Sequence, residues 1–258
     1  MVQNHESNEQ QVLRDWLFQL ADDEFTIGHR DSEWLGLCPD IEGDVAFSSI
    51  AQDEIGHALF YYELLHQCGE KDPDQLAFAR SIEERRNAIL LERTNGDWAY
   101  SIARHFFYDL FDHLRLEAML SSTHTPLAQG VAKMKREETY HLQHMKLCFV
   151  RLGQAGGEAR ERLEKAIESI WPDVKGLFCF GPHEQQLLEM GIISESSDQI
   201  QDKWQGQIRQ TFVEANLTYP GDFPVPQQEG RLGEHSQDLS DLLDTVTEVY
   251  RLEPLTRW

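Results

Sequence analysis

Long amphipathic stretches separated by short breaks make up most of the chain, and nearly every stretch carries the helical period. Over residues 9–30, Leu13, Leu17, Leu20, Glu24 and Ile27 fall on one face. The SEWLGLCPD segment, with Gly36 and Pro39, interrupts that rhythm. A second stretch, 41–68, groups Phe47, Ile50, Glu54, His57, Tyr61 and Leu64/Leu65, and stops near Gly69. KDPDQ opens a short helix, and NGD at 95–97 is a turn before a third long helix over 97–122. There Ile102, Phe106, Asp109, His113, Leu116 and Leu120 are in phase. A turn from Thr123 to Pro126 leads to a fourth helix over 126–152, with Val131, Met134, Glu138, His141/Leu142, Met145 and Phe149. Recurrence at i, i+3, i+4 and i+7 is the mark of helices that bury one face.

Gly153 and the rest of GQAGG are expected to close the fourth helix, and another follows over 156–179. Short helices near 183–190 and 197–215, a Pro/Gly-rich loop (YPGDFPVPQQEGRLG) and a final helix over 234–250 complete the chain. No segment shows the period of two that a half-buried strand requires. The expected fold is all-α and a single domain: a four-helix bundle over about 9–152 and a helical C-terminal extension over about 153–258.

Polar residues interrupt the apolar stripes at informative places. Glu54–His57 and Glu138–His141 are Glu-x-x-His pairs on the stripes of the second and fourth helices. Residues three apart project from one side of a helix, a spacing suited to gripping a metal ion. Such a match is cheap in a chain this acidic, and a third, Glu63–His66, exists. At about 100° per residue, however, Glu63 lies opposite Glu54 and reads as a solvated pair. Glu24 and Asp109 stand where the first and third stripes would carry an aliphatic residue. Four acids and two histidines, spread over four inward stripes, form the ligand pattern of a di-iron carboxylate bundle. Carboxylate and imidazole suit iron or manganese better than zinc. Phe47, Phe106, Met134 and Met145 are the expected apolar walls, and His105 and His113 lie within a turn of Asp109. Either is a supporting partner of that acid, an additional metal ligand, or an ordinary helix histidine. The alternative for the whole set is a buried polar network without metal.

Composition narrows the setting. The 258 residues carry a formal charge of −22, which argues against nucleic acid as a partner. An anionic substrate would then need a local basic patch or a partner subunit, unless the acidity belongs to a salt-adapted host. No apolar run approaches the roughly 20 residues of a membrane span. The polar opening MVQNHESNEQ lacks the pattern of a secretion signal, so a cytoplasmic protein is expected. Cys38, Cys68, Cys148 and Cys179 show no CxxC spacing and are expected to be buried thiols.

Four segments together resemble a known family: LADDEFTIGHRDSEWLGLCPDIEGDVAFSSIAQDEIGHA, LERTNGDWAYSIARHFFYDLFDHL, REETYHLQH, and the closing GRLGEHSQDLSDLL with VYRL. They are similar to the C subunits of bacterial phenylacetyl-CoA epoxidases, from about residue 10 to the C-terminus. The resemblance implies a ferritin-like fold and a multicomponent complex of aerobic phenylacetate degradation. In it a separate reductase and a homologous catalytic A subunit epoxidise the aromatic ring with O₂. In that family the A subunit holds the working di-iron centre, while the C subunit is structural and its ligand positions are replaced. This chain departs from the last point. Its QDEIGH and REETYH segments resemble the ligand-bearing motifs of the A subunit, so Glu24, Glu54, His57, Asp109, Glu138 and His141 map onto ligand positions.

Two readings follow. In the favoured one the chain is a structural partner of the catalytic subunit that retains a di-iron carboxylate site. An apolar outer surface on the first helices or the extension is then expected, with Trp16, Trp98, Trp204 and Trp258 as interface anchors or core residues. In the other it is itself an O₂-activating di-iron monooxygenase acting on an aromatic CoA thioester such as phenylacetyl-CoA. Lys133, Lys135 and Arg136 would then meet the CoA phosphates, or else form the solvated face of the fourth helix. Either reading implies a homo- or hetero-oligomer. An iron-storage or peroxide-detoxifying protein would share the ligands but not the long tail after residue 180.

Overall fold

The computed structural model describes residues 2–253, and within them all regular structure is helical. Trp258 lies outside the described residues. The long helices are α1 (Val2–Ser32), α2 (Ile41–Gln67), α5 (Trp98–Met119), α6 (Thr125–Ala155), α7 (Gly157–Val174) and α9 (Ser197–Glu214). Shorter ones are α3 (Pro73–Phe78), α4 (Ile89–Glu92), α8 (Glu184–Glu189), α10 (Gln237–Val246) and α11 (Glu248–Leu252). Two compact units are formed. One holds the chain up to Leu13 together with Asn95–Gln227, the other Arg14–Thr94 together with the chain from Gln228 onward.

In the first unit α5 packs against α6, α7 and α9. Its circumference is buried almost all round, where the sequence pattern foresaw a single stripe. The start is set by Asp97, whose side chain accepts from the Tyr100 N–H at 3.0 Å, satisfying one of the amides a helix leaves open at its N-terminus. Helix α6, with Pro126 in its first turn, keeps the expected single stripe: Leu127, Val131, Met134, Glu138, His141, Met145, Phe149 and Gly153. Phe107, Phe149, Trp171, Trp204 and Phe212 join the helices, with Phe107 and Trp204 ring centres 5.7 Å apart. Each buried ring contributes about 1.5–3 kcal/mol. The Trp204 indole N–H donates to the Phe107 carbonyl at 2.9 Å.

Gly153 corrects an expectation. It does not end α6 but lies inside it, where a Cβ would collide with the carbonyl oxygen of Ala215. The glycine serves a close approach, and the break comes at Gly156, whose φ of 70° an L-residue adopts at a cost. The expected helix over 156–179 becomes 3₁₀ at Lys175, after Pro172, and the final helix divides at Thr247.

In the second unit α2 begins at Asp40, whose carboxylate accepts from the Gly43 amide at 2.7 Å, with Glu42 and Asp44 in the first turn. These acids complement the positive end of the helix dipole. Most of α1 here is buried, acids included: Asp22, Asp23, Glu24 and Asp31 are all at most 1% exposed.

Candidate metal centre

A buried carboxylate persists only beside a counter-charge or donors that replace water. Two kinds of buried acid occur here, distinguished by what lies next to them.

The first kind meets guanidinium groups and backbone amides. Asp22 accepts from Arg80 (Nη1 at 3.0 Å, with Nη2 also bonded), from the Tyr62 hydroxyl at 2.8 Å and from the Arg86 N–H at 2.9 Å. Burial pushes its pKa up, but Arg80, Arg85 and the Tyr62 hydroxyl outweigh that and hold it below the usual carboxylate value. The same burial, next to Asp22, raises the Tyr62 phenol. Asp23 takes both Nη atoms of Arg231, at 2.7 and 2.8 Å, and the Ala88 N–H at 2.9 Å. Glu92 is met by the Asn87 amide at 2.9 Å, His235 Nδ1 at 2.7 Å and the Ser236 N–H at 2.6 Å. In the first unit Asp112 is held by Arg115 at 2.5 and 2.8 Å.

The second kind is the four acids singled out from the sequence, which lie beside imidazoles, as Glu92 does beside His235. Within the second unit, Glu24 on α1 and Glu54 and His57 on α2 each offer a ligand atom, and these atoms all lie within 4.8 Å of one another. The three residues are 1%, 0% and 5% exposed. His57 Nδ1 stands 3.5 Å from Glu54 Oε2. Gly28 lets α1 and α2 close on this group: a Cβ there would lie 3.0 Å from Glu54 Cβ and 3.1 Å from Ile55 Cδ1.

Within the first unit, the remaining predicted ligands pair with imidazoles on their own helices. Glu138 Oε1 and His141 Nδ1 are 3.0 Å apart on α6, and Asp109 Oδ1 and His105 Nδ1 are 3.0 Å apart on α5, all four residues being buried. Of the two histidines flanking Asp109, His105 is therefore its partner. His113 is half-buried, and burial, with Lys135 next, lowers its pKa.

Carboxylate oxygens and imidazole nitrogens in a dry interior suit a divalent iron or manganese ion. The expected wall residues Phe47, Phe106, Met134 and Met145 are all buried. Glu63 and His66 are exposed, as helical phase required.

Other expectations resolve differently. The four cysteines are in no disulfide and are half-buried rather than buried. The Cys38 thiol is pushed up to about 11 by partial burial and by Asp44, Asp40 and Asp31, so it is a poor nucleophile. Trp16 and Trp204 belong to the core, and Trp98 is half-buried. Lys133 and Arg136 are exposed, while Lys133 pairs with Glu137 and Lys135 with Glu117. That cluster is the solvated face of α6. Four exposed apolar side chains follow one another closely in the second unit: Leu35, Leu37, Ile41 and Val45, at 50%, 70%, 79% and 64%. Among the described residues no helix is long and apolar enough to cross a membrane.

The arginine pairs of Asp22 and Asp23 were not foreseen. Their signal was present as two further acids on a helix otherwise buried, and as the arginine and histidine of GRLGEH.

The chain is 28% identical over 252 residues to the C subunit of the 1,2-phenylacetyl-CoA epoxidase of Escherichia coli (strain K12), a match that covers 95% of this chain and 99% of that protein. It is 22% identical over 222 residues to the A subunit of the same epoxidase, covering 86% of this chain and 67% of that one. A family model described as "Phenylacetic acid catabolic protein" matches residues 2–258. With its buried acid–imidazole pairs and all-helical architecture, this chain belongs to the phenylacetic acid catabolic protein family.

Proposed function

We propose that the chain is one component of a multisubunit phenylacetyl-CoA epoxidase. In this reading it is the structural partner of a homologous A-type catalytic subunit, served by a reductase in the cytoplasm, and it retains a di-iron carboxylate site. The assignment to the complex draws support from similarity, along nearly the whole of both chains, to a C subunit. An association surface is supported by the exposed Leu35, Leu37, Ile41 and Val45, since apolar stretches in water mark contact sites.

The observation that carries the metal reading is the buried convergence of Glu24, Glu54 and His57. Glu24, Glu54, His57, Asp109, Glu138 and His141 would hold the metal, iron first and manganese second. When bound, iron in such a carboxylate site supplies the electrons and open coordination positions for dioxygen chemistry. The protein's share is to keep the carboxylates close and dry. Nδ1 of His57 and of His141 stays beside its own carboxylate, which fixes each ring's orientation.

The intact acid–histidine pairs also support a second reading, in which this chain is itself the O₂-activating monooxygenase on an aromatic CoA thioester. Metal content and product formation separate the two. The purified chain, loaded with ferrous iron, is given phenylacetyl-CoA, O₂ and reductase, alone and then with an A-type subunit. Product only with the A-type subunit, unchanged by Glu54→Ala/Glu138→Ala in this chain, supports the structural role. Product from this chain alone supports the monooxygenase. Stoichiometric iron retained by the double variant overturns the metal site itself.

A further inference from the structure

The GRLGEH segment has no part in the ligand set, yet it is pressed into the second unit beside α1. Gly230 packs where a Cβ would strike the Asn87 carbonyl, and Gly233, at φ 87°, lies where a Cβ would be 2.7 Å from the Glu83 carbonyl. Only glycines allow so close a docking against the backbone of 83–88. Between them Arg231, 3% exposed, reaches Asp23 with both Nη atoms and bonds the Arg86 carbonyl at 2.8 Å. His235 continues the contact, with Nε2 3.0 Å from the Arg85 carbonyl and Nδ1 on Glu92.

We propose that Arg231 is a positioning residue for the metal ligand Glu24, acting through the bidentate grip on Asp23 that sets the rotation of α1 about its axis. This rests on the metal reading above. Asp22, Asp23 and Glu24 are consecutive, so their side chains leave the helix about 100° apart. Asp22 is tied to Arg80 and the Arg86 amide, Asp23 to Arg231 and the Ala88 amide. With two successive directions held, the third is determined, and it aims Glu24 at Glu54 and His57. At a side-chain radius of about 5–6 Å, a 10° rotation would carry the Glu24 carboxylate about 1 Å. A functional group must be held to about 0.5 Å, so even that rotation degrades the site. A planar guanidinium fork resists rotation of its carboxylate in a way that a single point charge does not.

The test is Asp23→Asn/Arg231→Met in the full chain. Asn keeps an acceptor for the Ala88 N–H, and the pair leaves no buried lone charge, so the fold survives. Mn(II) and Co(II) titrations are followed by electron paramagnetic resonance and by Co(II) absorption, beside circular dichroism and thermal unfolding. Expected is a wild-type melt, a 10–100-fold weaker metal affinity of the kind supporting residues produce, and an altered Co(II) spectrum. Arg231→Lys should bind metal more weakly than wild type but more tightly than the double variant, and Arg251→Met, at an exposed pair with Asp244, should match wild type. Affinity and spectrum unchanged in the folded double variant would overturn the positioning role. Should that variant not fold, Arg231→Lys with unchanged affinity and spectrum would overturn it equally. A wild-type chain that binds neither ion would overturn the metal reading, and the positioning role with it, a pattern distinct from the other two.

Discussion

Two helix-interior glycines of the second unit offer a matched pair of substitutions with opposite expected signs. Gly28 lies in α1 and Gly56 in α2, and an alanine gains up to about 1 kcal/mol of helix propensity at either. At Gly56 nothing stands within 4 Å of the added methyl, so Gly56→Ala should realise most of that gain. At Gly28 the methyl would be 3.0 Å from Glu54 Cβ and 3.1 Å from two atoms of Ile55. Carbon contacts settle at about 3.5–4.0 Å, so the two helices must separate by roughly 0.5 Å or more at this point. Overpacking of that order costs about 1–3 kcal/mol, leaving Gly28→Ala destabilised by about 0–2 kcal/mol net. The displaced atom is Cβ of a ligand, and a shift of about 0.5 Å is already at the tolerance of a metal site. Metal affinity should therefore fall about tenfold or more, out of proportion to the stability change. Urea unfolding of the metal-free proteins, paired with Mn(II) titration, measures both quantities. Wild-type affinity in Gly28→Ala, with Gly56→Ala behaving identically, would refute the claim that Gly28 sets the approach of α1 to Glu54.

His29 has its pKa lowered to about 4 by burial, and next by Arg85. An unfolded chain would protonate it near 6.5, so its neutral folded form contributes fully above that pH, and up to about 3 kcal/mol is lost as the pH falls from 6.5 to 4. Urea unfolding at pH 7 and 4.5 should show that loss reduced in His29→Phe, and an equal loss in both proteins would exclude His29 as its source. Arg80→Ala removes the bidentate partner of buried Asp22 and contacts to the Leu76 and Glu84 carbonyls. It should cost about 3–5 kcal/mol in urea unfolding, while Arg80→Met/Asp22→Leu costs far less. Ile41→Lys/Val45→Glu should leave the melting temperature within a degree or two but weaken association with an A-type subunit, read by analytical ultracentrifugation. Undiminished association would remove that stretch from the interface.

The helices were legible wherever apolar positions recur at the helical period, most plainly on α6 with its single buried stripe. That signal also located Glu24, Glu54, His57, Asp109, Glu138 and His141, as polar residues at stripe positions stand out against apolar neighbours. The same logic fails where a helix is buried all round. On α1 the adjacent acids Asp22 and Asp23 carry no signal of their own in the sequence, because their partners, Arg80 and Arg231, are 58 and 208 residues away. Gly153 failed for a related reason. A glycine at the end of a periodic run reads as a stop, and only the long-range neighbour Ala215 shows that it permits a close contact. The short α4 carries too few residues for any period to appear.

Charge makes the metal reading testable without turnover. Among the described residues of the second unit the buried acids are Asp22, Asp23, Glu24, Asp31, Glu54 and Glu92, against the buried arginines Arg30, Arg80, Arg85 and Arg231. Six acids face four guanidinium groups, an excess of negative charge that bound divalent metal offsets. Glu24 and Glu54, with ligand atoms within 4.8 Å, repel each other until it does. Two opposite effects follow for Glu24→Gln/Glu54→Gln, which keeps shape and removes charge. Without metal the variant should be more stable than wild type, because a buried like-charge repulsion is gone. With Mn(II) at a hundred times its Kd, wild type should gain about 2.7 kcal/mol while the variant gains none. For a chain of this size that gain is a rise of about 5 °C in melting temperature. Differential scanning calorimetry of both proteins, with and without metal, therefore gives a crossing: the variant ahead when metal-free, the wild type ahead when loaded. A polar network that holds no metal predicts no crossing, since the glutamines would then lose hydrogen bonds to their neighbours and gain nothing. A variant less stable than wild type in both conditions, with no metal-dependent shift in either, would establish that network in place of the ion.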